Sequence, residues 1–127
     1  MLMETGVIRF IGRVEAVDGD LSTIVISPEY CKGLAKLDMY RRVLILYWFH
    51  ERDDEKHRDT LQVVPRRHGE TELRGVFASR SPSRPNPIGL TEVELLRLEG
   101  CTLMVRGLDA FKGSPIVDIK PASMDAT

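Results

Sequence analysis

Three prolines fall within six consecutive positions of this 127-residue chain: Pro82, Pro85 and Pro87, in SRSPSRPNPIGL over residues 79–90. Each ring locks its own φ and removes a hydrogen-bond donor, and each drives the preceding residue toward extended backbone. No helix can run through residues 81–87, and a central strand is disfavoured for the same reasons. The segment is a stiffened loop carrying two guanidinium groups, Arg80 and Arg84, with the Asn86 amide beside them. Gly89 then allows close backbone approach. A pre-ordered polar loop loses less entropy on binding, and Arg is suited to carboxylate and phosphate. Composition alone fits a rigid connector with solvated arginines equally well.

The flanking sequence reads as many short strands. Residues 6–17 form a first strand, Asp18-Gly19 a hairpin turn in which Gly accepts positive φ, and residues 21–26 the return strand. Ser27-Pro28-Glu29 marks a short helix start, with Ser27 as cap and Pro28 in the first helical position. RVLILYWFH (residues 42–50) is apolar without alternation, so it reads as a strand buried on both faces, with Leu46 in the core. The charged run at residues 51–58 reads as an exposed loop, and residues 61–65 and 75–78 as short strands. Residues 90–98 and 102–108 form a hairpin closed near Glu99-Gly100, and a break in parity puts a bulge near Leu95-Leu96. Residues 116–119 form a last strand. This spacing predicts a mainly β fold: a small antiparallel-rich β-barrel with one short helix, as a single domain over residues 1–127. No GxGxxG fingerprint occurs, which argues against a doubly wound parallel sheet.

Composition narrows the partners. Eighteen basic residues nearly cancel nineteen acidic ones for a net charge of -1, so a nucleic acid must be held by a local patch. Arg66, Arg67, Arg74, Arg80 and Arg84 supply one. The longest apolar run, residues 43–49, is far shorter than the roughly 20 residues of a membrane helix. The N-terminus shows no signal-peptide pattern. Cys31 and Cys101 form no CxxC pair, and they read as two buried thiols of a soluble, cytoplasmic protein. No metal is expected, since His50 and His57 lack HExxH spacing, and His68 reads as a surface residue. Phe77 and Phe111 fit either base stacking or, as the default, the core.

The loop also carries a resemblance. FASRSPSRPNPIGL, at residues 77–90, is similar to the FATRSPxRPNPIGL signature of the TsaA-like (TrmO-type) S-adenosylmethionine-dependent tRNA methyltransferases. LILYWFH (44–50), PEYCKGLAKL (28–37) and GLDAFKGSPIVDIKP (107–121) resemble further blocks of that family, in the family's order. The resemblance implies a compact barrel that pairs as a homodimer and binds S-adenosyl-L-methionine. It implies methyl transfer to the exocyclic nitrogen of threonylcarbamoyl-adenosine beside the tRNA anticodon. Carried over by motif, the cofactor contacts are His50, Glu51, Arg80, Leu90, Ala110, Phe111, Lys112 and Gly113. Arg84, Asn86 and Lys120 fall to the substrate, with bracing of the loop as the other role open to Arg84. The attacking nitrogen must shed a proton, and Asp109, Asp118 and His50 are the candidate bases; turn or edge-strand hydrogen bonding is the plainer role for either aspartate.

Two differences from the family pattern stand out. Asp18-Gly19-Asp20 closes a tight hairpin where members often carry a Pro-Arg-Gln segment, and Lys112 and Ser114 replace the usual Asp and Thr. The alternative reading is a non-catalytic RNA- or nucleotide-binding barrel that retains the scaffold.

Overall fold

In the computed structural model, which describes residues 4–65, 69 and 71–123, six strands close into a barrel of order β1-β2-β7-β6-β3-β8. They are β1 (Gly12–Asp18), β2 (Leu21–Ile26), β3 (Arg42–Trp48), β6 (Ile88–Glu99), β7 (Thr102–Arg106) and β8 (Pro115–Pro121). Every pairing is antiparallel, as expected. Two-residue strands β4 (Gln62–Val63) and β5 (Arg74–Gly75) pair beside the barrel. No helix among the described residues is long and apolar enough to cross a membrane.

The predicted turns form. Gly19 has φ 62° and closes Asp18 against Leu21, a conformation that would strain a residue with a Cβ. The β6–β7 register shifts between Leu95 and Arg97, so the extra residue is Leu96, where the parity break lay. Val14, Ile24, Ile45, Val93, Leu103 and Ile116 are fully buried and fill the interior from the inner face of this closed sheet.

Several expectations change. β3 is not buried equally on both faces. Val43, Ile45 and Tyr47 point into the barrel, while Leu44 and Leu46 are half-buried on its outside. A closed antiparallel barrel has one interior, so an apolar run need not mean two buried faces. Leu46 therefore is not a core residue; Ile45 is. Trp48 is buried because Phe10 packs on it, with ring centroids 5.8 Å apart, and Arg58 lies over its face.

The first strand starts only at Gly12. Residues 28–34 are 3-10 rather than α-helical, and Ser27 makes no side-chain cap; its carbonyl accepts the Tyr30 N–H at 2.9 Å instead. The exposed charged run is not a bare loop. It holds a 3-10 turn (His50–Arg52) and the four-residue helix α1 (Glu55–Arg58), capped where the Asp54 carboxylate accepts the His57 N–H at 2.8 Å. The segment read as a strand at 75–78 is a strand only at Arg74–Gly75, then a 3-10 turn over Val76–Ala78.

The cysteines are corrected outright. Cys31 and Cys101 form a disulfide with Cα atoms 5.3 Å apart, and both are only half-buried. Sequence separation hides the pair. Strand β2 runs beside β7, and the Ile26 N–H donates to the Cys101 carbonyl at 2.8 Å, which brings the β6–β7 turn against the 3-10 helix that follows β2. The free thiols that suggested a reducing compartment are not present as thiols.

Candidate functional site

Strand β3 builds the floor of a cavity of about 410 Å³. Its alternation turns Tyr47 inward, directly opposite Gly89 of β6. A Cβ on Gly89 would lie 2.5 Å from Tyr47 Cε2 and 2.8 Å from Phe49 Cζ, so only glycine admits both rings. The two rings meet edge to face with centroids 5.4 Å apart, and the Tyr47 hydroxyl shares a 3.1 Å hydrogen bond with Thr91. The Phe49 N–H donates to the Pro87 carbonyl at 2.7 Å, which ties the exit of β3 to the proline loop.

That loop is held by its own polar groups. Arg84 donates to the carbonyls of Ser79 and Ser81, both at 3.1 Å. Arg58 donates to the Pro85 carbonyl at 2.8 Å and to Asn86 Oδ1 at 3.3 Å. These contacts leave Arg80 exposed at the cavity wall; no hydrogen bond or ion pair among the described residues engages its guanidinium.

The opposite wall is the turn at residues 109–114. The Gly113 N–H donates to Val14 at 2.8 Å, and the Phe111 N–H donates to the Ser114 hydroxyl at 3.2 Å. Ser114 is buried and performs this turn-closing role with the hydroxyl it shares with the family's usual Thr.

The fold thus gathers His50, Glu51, Arg80, Asp109, Ala110 and Phe111 around one cavity. Lys112 and Gly113 belong to the same turn but are not among the lining residues. Leu90 pairs with Leu46, and alternation from inward Gly89 sends it to the outer face, where it is 42% exposed. Asp118 is also outside the lining; its carboxylate accepts the Ile119 N–H at 2.9 Å and lies 3.2 Å from Lys120. Arg84 and Asn86 are engaged in bracing the loop. Tyr47, Phe49, Arg52, Pro82 and Ser114 line the cavity without having been read as site residues. Strand parity would have flagged Tyr47, had the run not been read as buried on both faces.

Phe77 and Phe111 are not core residues. They are 79% and 69% exposed, because each sits on a turn that leaves the barrel wall. Of the basic patch, Arg66 and Arg67, with His68, lie outside the described residues; Arg74 is described and donates to the Ala78 carbonyl at 3.3 Å. Among the described residues no group of three His, Cys, Asp or Glu side chains is placed to hold a metal ion.

Comparison with known proteins gives concordant matches. Residues 13–126 match the family model described as the tRNA-methyltransferase O N-terminal domain. An S-adenosyl-L-methionine-binding protein of Archaeoglobus fulgidus is 53% identical over 103 residues, covering 81% of this chain and 70% of that protein. A crystal structure of TrmO from Pseudomonas aeruginosa superposes with TM-score 0.71 at 25% identity, covering 96% of this chain and 56% of that one. A second TrmO crystal structure gives TM-score 0.70 at 26% identity, over 100% of this chain and 62% of the other. The chain therefore spans less than two thirds of these solved proteins.

Proposed function

Because this chain belongs to the family of the tRNA-methyltransferase O N-terminal domain, we propose that it is an S-adenosylmethionine-dependent tRNA methyltransferase. Its acceptor is the exocyclic nitrogen of threonylcarbamoyl-adenosine beside the anticodon. The observation that carries this reading is the cavity itself: an aromatic floor of Tyr47 and Phe49, facing an exposed, unengaged Arg80.

The residues fit the cofactor. At about 410 Å³ the cavity lies in the range of small-molecule sites. Tyr47, Phe49 and Phe111 offer apolar faces for a purine, and Arg80 offers paired donors for a carboxylate. Glu51 and Asp109 place negative charge in the wall beside a cationic ligand, offsetting the family's Asp that is Lys112 here. When bound, S-adenosylmethionine supplies a methyl group already activated by its sulfonium. The chain's part is alignment and proton removal. Asp109 Oδ or the His50 imidazole accepts the proton that the attacking nitrogen sheds, since both line the cavity. The loop braced by Arg84 keeps Arg80 and Pro82 in place, which reduces the ordering entropy lost on binding.

The protein acts as a homodimer in this reading. Half-buried Leu44 and Leu46 and exposed Leu90 form an apolar strip on the barrel's outer face that a second copy would cover. Light scattering at micromolar concentration is expected to give twice the chain mass.

Calorimetry with S-adenosylmethionine and its demethylated product tests the cofactor. Mass spectrometry of nucleosides from threonylcarbamoyl-adenosine-containing tRNA tests the reaction, with a gain of one methyl group expected. Absence of cofactor binding would sink the proposal. Binding without transfer would favour the non-catalytic barrel.

A further inference from the structure

The guanidinium of Arg58 is engaged on every nitrogen and over an aromatic ring, yet Arg58 does not line the cofactor cavity. Its Nε donates to the Pro85 carbonyl at 2.8 Å, Nη1 to Asp53 Oδ1 at 3.1 Å and Nη2 to Asn86 Oδ1 at 3.3 Å. Its central carbon stands 5.8 Å from the centroid of the Trp48 ring. The Trp48 Nε1–H donates in turn to the other oxygen of Asp53 at 3.3 Å. The end of β3, the entry to α1 and the proline loop therefore meet on one planar group.

Stability gives little reason for such a cluster. The Arg58 and Asp53 side chains are 40% and 42% exposed, and an ion pair in that setting stabilises a fold weakly. What the cluster fixes is position. Pro82, Pro85 and Pro87 lock φ, and Arg84 holds the carbonyls of Ser79 and Ser81, which flank Arg80. Residues 79–87 are thereby stiffened into one body. The Arg84 bonds reach only five and three residues along the chain, so they set the loop's shape and not its place on the barrel. Its far end is placed by longer reaches. The Phe49 N–H donates to the Pro87 carbonyl at 2.7 Å, and Arg58 grips Pro85 and Asn86 from 27 and 28 residues away.

We infer that Arg58 is a positioning residue for the cofactor site. It holds the stiff loop where Arg80 meets the cofactor carboxylate above the Tyr47 and Phe49 rings, and it touches no cofactor itself. A stiff body carries a displacement at residues 85–86 to Arg80, and a small misplacement of a binding group lowers affinity. The inference rests on the reading of the cavity as an S-adenosylmethionine site and adds to it the group that places one wall. Lysine is no substitute, because a point charge cannot serve three acceptors arranged around a plane.

The test is a double-mutant cycle read by calorimetry with S-adenosylmethionine. Arg58→Met and Arg58→Lys are each expected to weaken cofactor binding about five- to tenfold. In an Arg80→Ala background the same replacements should change affinity by less than about twofold, because the group that Arg58 positions is gone. A merely structural role would lower affinity equally in both backgrounds. Trp48 is the single tryptophan, so its emission reports the cluster directly and should shift in Arg58→Met while the far-ultraviolet circular dichroism of the barrel stays unchanged. If Arg58→Met does not fold, Arg58→Lys carries the cycle. Wild-type binding that neither variant weakens overturns the inference and leaves the cofactor reading standing. A full effect that persists in the Arg80→Ala background also overturns it, since Arg58 then acts by another route. A wild-type protein that binds no cofactor, with the Trp48 shift intact, removes the cofactor reading and reduces Arg58 to a structural brace.

Discussion

The 3-10 helix Pro28–Leu34 and the proline loop at residues 79–87 are both irregular segments laid on the same barrel, and they are held by opposite means. The first is fastened covalently through Cys31–Cys101 and by burial of Leu34 against the core. The second is fastened by charged donors on backbone carbonyls: Arg84 on Ser79 and Ser81, Arg58 on Pro85. A crosslink and an apolar anchor leave nothing over for a ligand. Polar bracing uses some guanidinium groups to hold the loop and leaves others, Arg80 first, free to bind. The 3-10 cap should therefore report on stability, and the loop on affinity.

Removing the crosslink gives the largest expected effect. The disulfide joins residues 70 apart, and a loop of that length constrains the unfolded chain by about 4 kcal/mol. Denaturant unfolding of a Cys31→Ser, Cys101→Ser variant should show a loss of that order, with cofactor affinity unchanged in calorimetry. A matching fall in affinity would mean that cap and cavity are not independent.

Two arginine variants sharpen the contrast within the loop. Arg80→Ala should lower cofactor affinity about ten- to hundredfold, through loss of a charge-assisted hydrogen bond, and change stability by no more than about 0.5 kcal/mol. Arg84→Ala removes two hydrogen bonds from a half-buried donor and should cost about 1–3 kcal/mol in denaturant unfolding. Indistinguishable behaviour of the two variants would erase the distinction between bracing and binding groups. For scale, truncating the true core residue, Ile45→Ala, should cost about 2–5 kcal/mol.

Gly89→Ala probes the cavity floor. The added methyl meets two aromatic rings inside normal contact distance, and relief requires Tyr47 or Phe49 to move. Overpacking of this kind costs about 1–3 kcal/mol, and cofactor affinity should fall with it. Unchanged affinity in calorimetry would show that the rings do not form the floor of the ligand site.

The smallest effect concerns pH. The His57 N–H, then its ring, hold the Asp54 carboxyl below its ordinary value. A depressed folded pKa means that the stabilisation is complete above the unfolded carboxylate pKa and is lost as pH falls through the folded one. The α1 cap should therefore survive to pH values below the usual carboxylate range. Asp54→Asn should remove the acid-side dependence of local amide exchange at His57 and leave the barrel untouched.

Much of the barrel was legible because local rules were obeyed locally. Asp18-Gly19 demanded a hairpin, the Leu95–Leu96 parity break demanded a bulge, and proline spacing forbade regular structure at 81–87. His50, Glu51, Arg80, Ala110 and Phe111 came together as candidates through motif resemblance, not through any spacing rule, and they line one cavity, whereas Leu90, Lys112 and Gly113 from the same resemblance do not. Tyr47 and Phe49 were missed because an apolar strand does not announce which of its faces is interior until the sheet closes. The role of Arg84 was left open because a guanidinium's partners here are carbonyls, and carbonyls leave no mark in sequence.

The sequence by itself determined the centres of the main barrel strands, the hairpin turns and the stiffness of the loop, since each follows from steric and hydrogen-bonding preferences within a few residues. Tertiary structure alone decided which side of β3 faces inward, which arginine is engaged and which is exposed, and that two cysteines 70 residues apart are joined. Those outcomes depend on the closure of β8 against β1 and on β2 lying beside β7. Contacts between residues far apart in the chain are selected by the packing of the whole barrel, and no local preference encodes them.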